Sequence, residues 1–542
     1  MTVKEDALSA PSNPELALRA GNVRALGLAA AYLLLGGLTL SPLLWVHIPP
    51  LVDYPVHLAR MSVLLHDGDG SAIATNYIAH WRLLPNLAID LIVPVLAQLM
   101  PLELAGKLFV ALSMSLAVIG TVTLHRALHG RVGLWPLCAL LFVYNVVLWY
   151  GFLNYLFALG VAILAFSAWV ATERRPQALR ITGFAIVAAV IFVLHLFAFG
   201  VYGLLVVSYE ASKAAGGQET PRDRAIALAG TLLQFVPSGL MWLGVEGGPQ
   251  FTQFGDLNAR LASLIAPAFF DDGNKTVLDA AIFVVEIVVL PCALLAGALR
   301  LNPKMRLPLL AMLVLSALIP EWLKGSWAAQ IRLPIALVFV FIASAQFDRS
   351  RRTTGICLAT TVLLLLGLRL WAVTENWRDM DARVTELRAA LQTVPEGVRI
   401  LTVQSSMPAS LVRPAGFRHL VDSTGAPTFS HLPALAVLDR GAFYTPLFTG
   451  WYPIDASPKN AGMPRILDGI LTPAELLERR KAPSPGTMPL DVLGEPPCCY
   501  DWPQHFDFVL WTDFGAPPRM LPKELEPWAS GSFFHIYRVI RP

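Results

Sequence analysis

Charge is what this sequence lacks. Asp, Glu, Lys and Arg make up 15% of its 542 residues, against about 25% in soluble domains, and 55% of the chain is hydrophobic. Such a chain is not an ordinary cytosolic globule, and its hydrophobicity excludes intrinsic disorder. Neither sign dominates: 41 basic and 38 acidic residues leave a net charge of +3, without the cationic surface that a nucleic-acid partner requires. Cysteine is scarce, with five in all. Cys138, Cys292 and Cys357 fall in apolar runs, where a thiol is a small filler. Cys498 and Cys499 are adjacent, which disfavours a mutual bridge and leaves a free pair or a bond to another protein open. No CxxC pair, Walker loop, GxSxG elbow or fixed-period repeat occurs.

Apolar runs stand in their place. Crossing about 30 Å of hydrocarbon takes roughly 20 apolar residues, and runs near 23–46, 104–124, 132–150, 152–171, 225–244, 277–299, 307–323, 330–347 and 353–373 qualify. A longer run, 181–210, reads as two short spans meeting near His195 and Phe199. The fold class is therefore mainly α, a polytopic transmembrane bundle of about 11 to 12 spans. The first run exceeds the apolar core of a signal peptide and has no clear small-x-small cleavage site, so it reads as a retained helix.

Lys and Arg resist translocation, and their placement in short loops sets the orientation. Lys4, Arg19 and Arg24 put the N-terminus in the cytoplasm. The clusters Arg126/Arg131, Arg174/Arg175, Lys213/Arg222/Arg224, Arg300/Lys304/Arg306 and Arg349/Arg351/Arg352 fit the same side if 86–101, a short stretch carrying Asp90, does not fully cross. If it crosses and 181–210 is one helix, the downstream parity is unchanged. Either way the first loop (47–85), the loop 245–276 and everything after about Thr374 are extracytoplasmic. Residues 1–373 form the membrane domain. Residues 374–542 read as a small extracytoplasmic α/β domain, with strand-like runs at 398–403, 506–514 and 533–540 and an amphipathic linker helix at 375–393 ahead of them.

The first loop opens with HIPPLVDYPVHLAR. Pro49 and Pro50 stop the first helix, and Asp53, His57 and Arg60 then fall at i, i+4 and i+7, sharing one face if helical. A carboxylate, a histidine and an arginine so placed can act as base, proton partner or metal ligand, and phosphate clamp. The same run also reads as a solvated amphipathic helix capped by Asp53.

An acidic residue just beyond the first span, about ten further spans and an exported C-terminal domain resemble the GT-C superfamily of polyprenyl-phosphate-sugar-dependent glycosyltransferases. The stretches PNLAIDLIVPVLAQLMPLELAGKLFVAL (85–112) and GFLNYLFALGVAIL (151–164) are similar to regions of such enzymes. Where the family carries paired acids in the first loop, this chain has Asp53 followed by Tyr54. The resemblance implies transfer of a sugar from a polyprenyl-phosphate donor to a cell-envelope glycan, lipid or protein acceptor, by one inverting displacement at the outer face of a bacterial inner membrane. Asp53 matches the acceptor-side base, with His57 beside it. The leaving phosphate needs cations, for which Arg60, Arg82, Lys324 and Arg332 are the candidates. Arg332, in SWAAQIRLP, lies at the exoplasmic end of a span, where it serves either the phosphate or lipid headgroups.

Asp271 and Asp272, in PAFFDDGNKT, are candidates for holding the acceptor or a divalent cation such as Mg or Mn, and read equally as a turn. Glu321, a third candidate, is placed to pair with Lys324 across a helical turn. Asp90 and Glu286 are costly in apolar runs unless paired, and mark either sites or internal salt bridges. His195 reads as a packing histidine. FYTPLFTGWYP (443–453) suits sugar stacking or, more readily, docking onto the membrane domain. Two other classes compete with an enzyme: a transporter or lipid flippase, for which no internal repeat is evident, and a non-catalytic assembly factor that keeps the fold without turnover.

Overall fold

The computed structural model describes residues 14–216, 220–245, 251–270, 276–324, 326–348, 350–405, 430–449, 452–460, 463, 470–481, 499–513 and 520–541. Its helices are α1 (Pro14–Leu40), α2 (Tyr54–Leu65), α3 (Ala88–Ala97), α4 (Leu102–His129), α5 (Leu153–Ala171), α6 (Gln177–Leu194) and α7 (Leu196–Gly216). They continue with α8 (Pro221–Leu243), α9 (Val277–Leu295), α10 (Arg306–Leu318), α11 (Arg332–Ser344), α12 (Arg352–Leu391) and the short α13 (Leu435–Arg440). Among the described residues seven helices are long and apolar enough to cross a membrane: α1 from Ala25 through the 3-10 turn ending at Trp45, α4, α5, α6, α8, α9 and α12. Their outer faces carry residues such as Leu33, Ile186 and Leu295, at 78%, 68% and 87% exposure, a surface that lipid covers and water does not tolerate. The chain is a multi-pass membrane protein.

Several elements follow the hydropathy and others depart from it. The run 181–210 breaks at His195, whose backbone is extended (φ −169°, ψ 122°) between α6 and α7. The first loop satisfies the freed groups: Leu196 N–H donates to the Pro85 carbonyl at 2.9 Å and Leu87 N–H to that of Val193 at 3.1 Å. His195 packs there, its Nδ1 accepting from Phe197 N–H at 3.1 Å. Ten residues make α3 about 15 Å long, half of what a crossing needs. The run 132–150, expected as a span, is instead a 3-10 helix (Trp135–Phe142) entered through Pro136, then a short helix (Val146–Tyr150). The break falls at Asn145, which is extended and accepts from the N–H groups of Val147 and Leu148, both at 3.1 Å. A local cap outcompetes helix continuation there. Conversely, the last span and the amphipathic linker are one 40-residue helix, α12, about 60 Å long.

In the bundle α4 and α5 pack closely through Gly120 and Gly160, where a Cβ on Gly160 would lie 2.5 Å from the Leu116 side chain. Three short strands, β1 (Tyr77–Ala79) and the pair β2 (Leu299–Leu301) with β3 (Ala345–Phe347), precede the C-terminal sheet. Its strands are β4 (Arg399–Gln404), β5 (Phe443–Tyr444), β7 (Ile470–Leu471), β8 (Phe508–Thr512), β9 (Leu525–Ser530) and β10 (Phe534–Val539), in the order β5-β4-β8-β10-β9 with β7 also on β4. β4 is parallel to β5, β7 and β8, whereas β10 is antiparallel to β8 and β9. All three strand-like runs are strands. Cys499 is disulfide-bonded, so it is not the free thiol that its neighbouring cysteine left open.

The C-terminal domain is sewn to the first loop. β1 pairs antiparallel with β6 (Ile454–Ala456), Tyr77 opposite Ala456. Asn76 is buried and donates to the carbonyls of Gly441 (2.8 Å) and Gly397 (3.2 Å), while Asn460 donates to its Oδ1 at 2.9 Å. A second seam joins Arg388 of α12 to Asp439 of α13 and Glu103 of α4, at 2.5 and 2.8 Å.

Candidate active site

The geometry of the site begins with a turn. The short helix ending at Tyr150 closes on Gly151, at φ +79°, a conformation that favours glycine. Against this turn lies the loop before α2: Val52 N–H donates to the Trp149 carbonyl at 2.9 Å and Asp53 N–H to that of Tyr150 at 3.0 Å. His57, one turn into α2, donates from Nε2 to the Gly151 carbonyl at 3.1 Å. A carbonyl only accepts, so Nε2 carries the proton and Nδ1 is bare. His57 is buried, and desolvation followed by the Arg60 charge holds it well below the ordinary histidine range, hence neutral.

This corrects the solvated-helix expectation. From Tyr54 to Val63 every residue of α2 is buried, and the Asp53 side chain makes no capping hydrogen bond. Its carboxylate instead stands 3.6 Å from Nε2 of His431, a residue of the C-terminal domain. Burial pushes the Asp53 carboxyl up to about 7, against the opposing pull of Arg60 and Arg332.

Arg60 does not point outward either. Both it and Asp90 are 0% exposed and form a two-pronged pair, Nε to Oδ1 at 2.6 Å and Nη2 to Oδ2 at 3.0 Å. The costly acid of α3 is thereby neutralised by the third member of the first-loop triplet. Tyr452 lies over the Arg60 guanidinium at 4.2 Å. Phe448 stacks on Tyr452 at 5.3 Å and sets its edge against His57 (6.2 Å) and His431 (5.8 Å). The aromatic run thus docks on the membrane domain, as anticipated, and delivers His431 to Asp53.

Arg332 opens α11 and is 7% exposed. Nη1 donates to Ser326 Oγ at 2.9 Å, and the guanidinium lies over the rings of Phe152 (5.0 Å) and Phe197 (5.8 Å). Among the described residues it has no carboxylate partner, and its Nε makes no hydrogen bond. Tyr155 donates from its hydroxyl to the Arg332 carbonyl at 2.6 Å. Trp327 meets Tyr150 edge-on at 5.1 Å, and Tyr150 stacks on Phe152 at 5.4 Å.

Asp53, His57, Arg60 and Arg332 are therefore brought together, and other expected residues are not. Lys324 is exposed, with its amine over the Trp242 ring at 4.8 Å. Glu321 accepts from Trp327 Nε1 at 3.3 Å and does not pair with Lys324, because the segment between α10 and α11 is a bridged turn (Leu323 opposite Ser326) rather than a helix. Arg82 is ion-paired to Asp455 of the C-terminal domain. Glu286 sits in a π-helical turn, Val285–Val289, and makes no ion pair among the described residues. Asp271 and Asp272 lie outside the described residues. No group of three His, Cys, Asp or Glu side chains among the described residues is suited to hold a metal ion, so the candidate divalent cation finds no ligand set there.

Sequence reasoning missed His431 and four residues of the run that opens α5. His431 has no local signal; only the docking of the aromatic run places it. Gly151, Phe152, Asn154 and Tyr155 did carry one, in the run GFLNY. Gly151 seats Asp53, Phe152 and Tyr155 hold Arg332, and Asn154 tethers α3 through Ile89 N–H and the Asn86 carbonyl, both at 2.7 Å.

No protein-family model matches the chain, and neither does any curated protein. Among solved structures the chain is similar to ArnT from Cupriavidus metallidurans in the apo state, at 14% identity and a TM-score of 0.45, over 96% of this chain and 98% of that one. It is also similar to ArnT from the same organism bound to undecaprenyl phosphate, at 12% identity and a TM-score of 0.46, over 95% and 97%. At that degree of similarity, the residues of the site have to carry the functional reading themselves.

Proposed function

We propose that the chain is a membrane glycosyltransferase of the GT-C type, which moves a sugar from a polyprenyl-phosphate donor to an acceptor hydroxyl or amide on the face that bears the C-terminal domain. By the distribution of Lys and Arg, that is the extracytoplasmic face of a bacterial inner membrane. One observation carries the reading: a largely buried carboxylate, Asp53, lies within electrostatic reach of a buried arginine, Arg332, that has no carboxylate partner among the described residues. An uncompensated buried cation costs several kcal/mol unless an anion completes it. A lipid phosphate suits this place, since its headgroup would sit at the end of apolar α11 with its prenyl chain in the hydrocarbon.

The roles then follow. Asp53, as the acceptor-side base, takes the acceptor proton as the acceptor atom attacks the anomeric carbon. The bond from that carbon to the phosphate oxygen breaks, and the phosphate leaves with the electron pair, stabilised by Arg332. Attack opposite the leaving group inverts the anomeric centre. His57 fixes the Gly151 turn under Asp53, and Arg60 neutralises Asp90 while drawing Tyr452 over the site.

The test uses full-length protein in lipid nanodiscs with undecaprenyl phosphate and a panel of undecaprenyl-phosphoryl sugars. Wild type is expected to bind the lipid and to release it from one of the sugars in an acceptor-dependent manner. Asp53→Asn is expected to retain binding and lose at least about 100-fold in turnover. Transfer by Asp53→Asn at the wild-type rate removes Asp53 from its role, and failure of wild type to bind undecaprenyl phosphate removes the donor class.

A further inference from the structure

We propose that His431 of the C-terminal domain is the proton partner of Asp53, so that the base of the site is a carboxylate–imidazole pair assembled from two domains. This deepens the glycosyltransferase reading and rests on it for the chemical step. The geometry points to it from several sides. Nε2 of His431 stands 3.6 Å from Asp53 Oδ1. The imidazole is aimed by Phe448, whose ring meets both His431 and His57. His431 begins the 3-10 turn Leu432–Ala434 that leads into α13, and α13 is itself held by the Asp439–Arg388–Glu103 seam. The position of the imidazole is thus fixed from the membrane domain as well as from its own.

The two histidines beside Asp53 differ in what they can do. His57 donates its Nε2–H to the Gly151 carbonyl and is buried, so it is a fixed donor. The His431 side chain is 19% exposed, which leaves water a route to the ring. The other groups around the pair are Arg60 and Asp90 behind His57, Arg332 at the start of α11, and Tyr444 and Tyr452 of the C-terminal domain. Burial drives both tyrosines toward their neutral forms, and Arg60 is matched by Asp90. His431 is then the imidazole that combines a place beside Asp53 with a route to water.

In the transfer step the acceptor proton passes to the Asp53 carboxylate and on to His431 Nε2, giving an imidazolium that releases it to water. Asp53 is left ionised for the next turnover. His431 touches Asp53 and not the substrate, so it acts as a positioning and proton-holding residue.

His431→Gln tests this, because the amide offers Asp53 a hydrogen-bonding group of similar reach but does not take up or release a proton. The readout is the pH titration of the Asp53 carboxyl infrared band, identified by its loss in Asp53→Asn, in full-length protein in nanodiscs. The Asp53 midpoint is expected to rise by about one pH unit or more in His431→Gln. The acid limb of transfer is expected to move with it, and undecaprenyl phosphate affinity to stay within about twofold of wild type. His431→Asn, with the same thermal unfolding midpoint as wild type, serves as the second variant. An unmoved Asp53 midpoint in both overturns the proposal, as does a loss confined to KM for the lipid with the pH profile unchanged. If wild type shows no transfer on any sugar, the glycosyltransferase reading fails, while the infrared midpoint still decides on the pair.

Discussion

Replacing Arg332 by Met separates a functional arginine from a structural one. Four arginines of the membrane domain are buried among the described residues: Arg60, Arg180, Arg332 and Arg369, with Arg180 facing Glu210 at 3.5 Å. Arg60 and Arg369 each hold a carboxylate, Asp90 and Asp279, at 2.6 Å, and Arg369 adds the Ala268 carbonyl at 2.9 Å. Among the described residues Arg332 holds Ser326 Oγ and two ring faces. The effective cost of burying one ion is several kcal/mol. Against it stand one charge-assisted hydrogen bond, about 1.5–3 kcal/mol, and two cation–π contacts of roughly 1–2 kcal/mol each. These nearly cancel, so Met, which fills the volume of the stem without its charge, is expected to leave the thermal unfolding midpoint unchanged or raised. A bound phosphate alters the balance, since truncating one partner of a close charge pair costs about 2–5 kcal/mol. That corresponds to a loss of undecaprenyl phosphate affinity of roughly 30-fold to several thousand-fold. Thermal unfolding followed by intrinsic fluorescence, with lipid titration on the same samples, reads both quantities. A large drop in unfolding temperature with unchanged lipid affinity would refute the assignment and make Arg332 structural.

The remaining expectations concern the groups around it. Asp90→Ala strands the Arg60 charge and is expected to destabilise by about 3–5 kcal/mol, whereas Arg60→Met combined with Asp90→Leu recovers most of that; thermal inactivation rates of the single and double variants check the cycle. Gly151→Ala places a Cβ 3.1 Å from Asp53 N at a left-handed φ, and is expected to cut transfer at least tenfold while lipid binding persists, as paired turnover and binding assays would show. Asp53 titrates near 7 in the folded protein, above its unfolded value. The folded state therefore binds the proton more tightly, and the Asp53 contribution to stability is lost as pH rises from about 4 to about 7. Asp53→Asn is expected to gain stability relative to wild type when unfolding is compared at about pH 5 and about pH 8.

Much of the site was visible as residue type and little as arrangement. The spacing of Asp53, His57 and Arg60 correctly implied one helix, but not that its polar groups face inward. Whether a triplet meets water or protein depends on what covers it, and here the cover is the C-terminal domain, more than 300 residues downstream. Asp90 announced its need for a partner through its cost in an apolar run, yet the partner could have been any cation until α2 and α3 were seen to pack. Glu321 and Lys324 had the spacing of a helical pair, and failed because the chain turns there instead.

The sequence by itself determined the solvent of this protein, the order of most of its apolar helices, the interruption at His195 and the strands β4, β8 and β10 of its C-terminal domain. Each of these follows from local hydropathy, backbone preference or strand pattern. The tertiary structure alone decided which charges cancel and which remain: Arg60 is spent on Asp90, Arg82 on Asp455, and Arg332 is left without a carboxylate among the described residues. Charge compensation is a property of side chains brought within about 4 Å, and a one-dimensional pattern does not contain that distance.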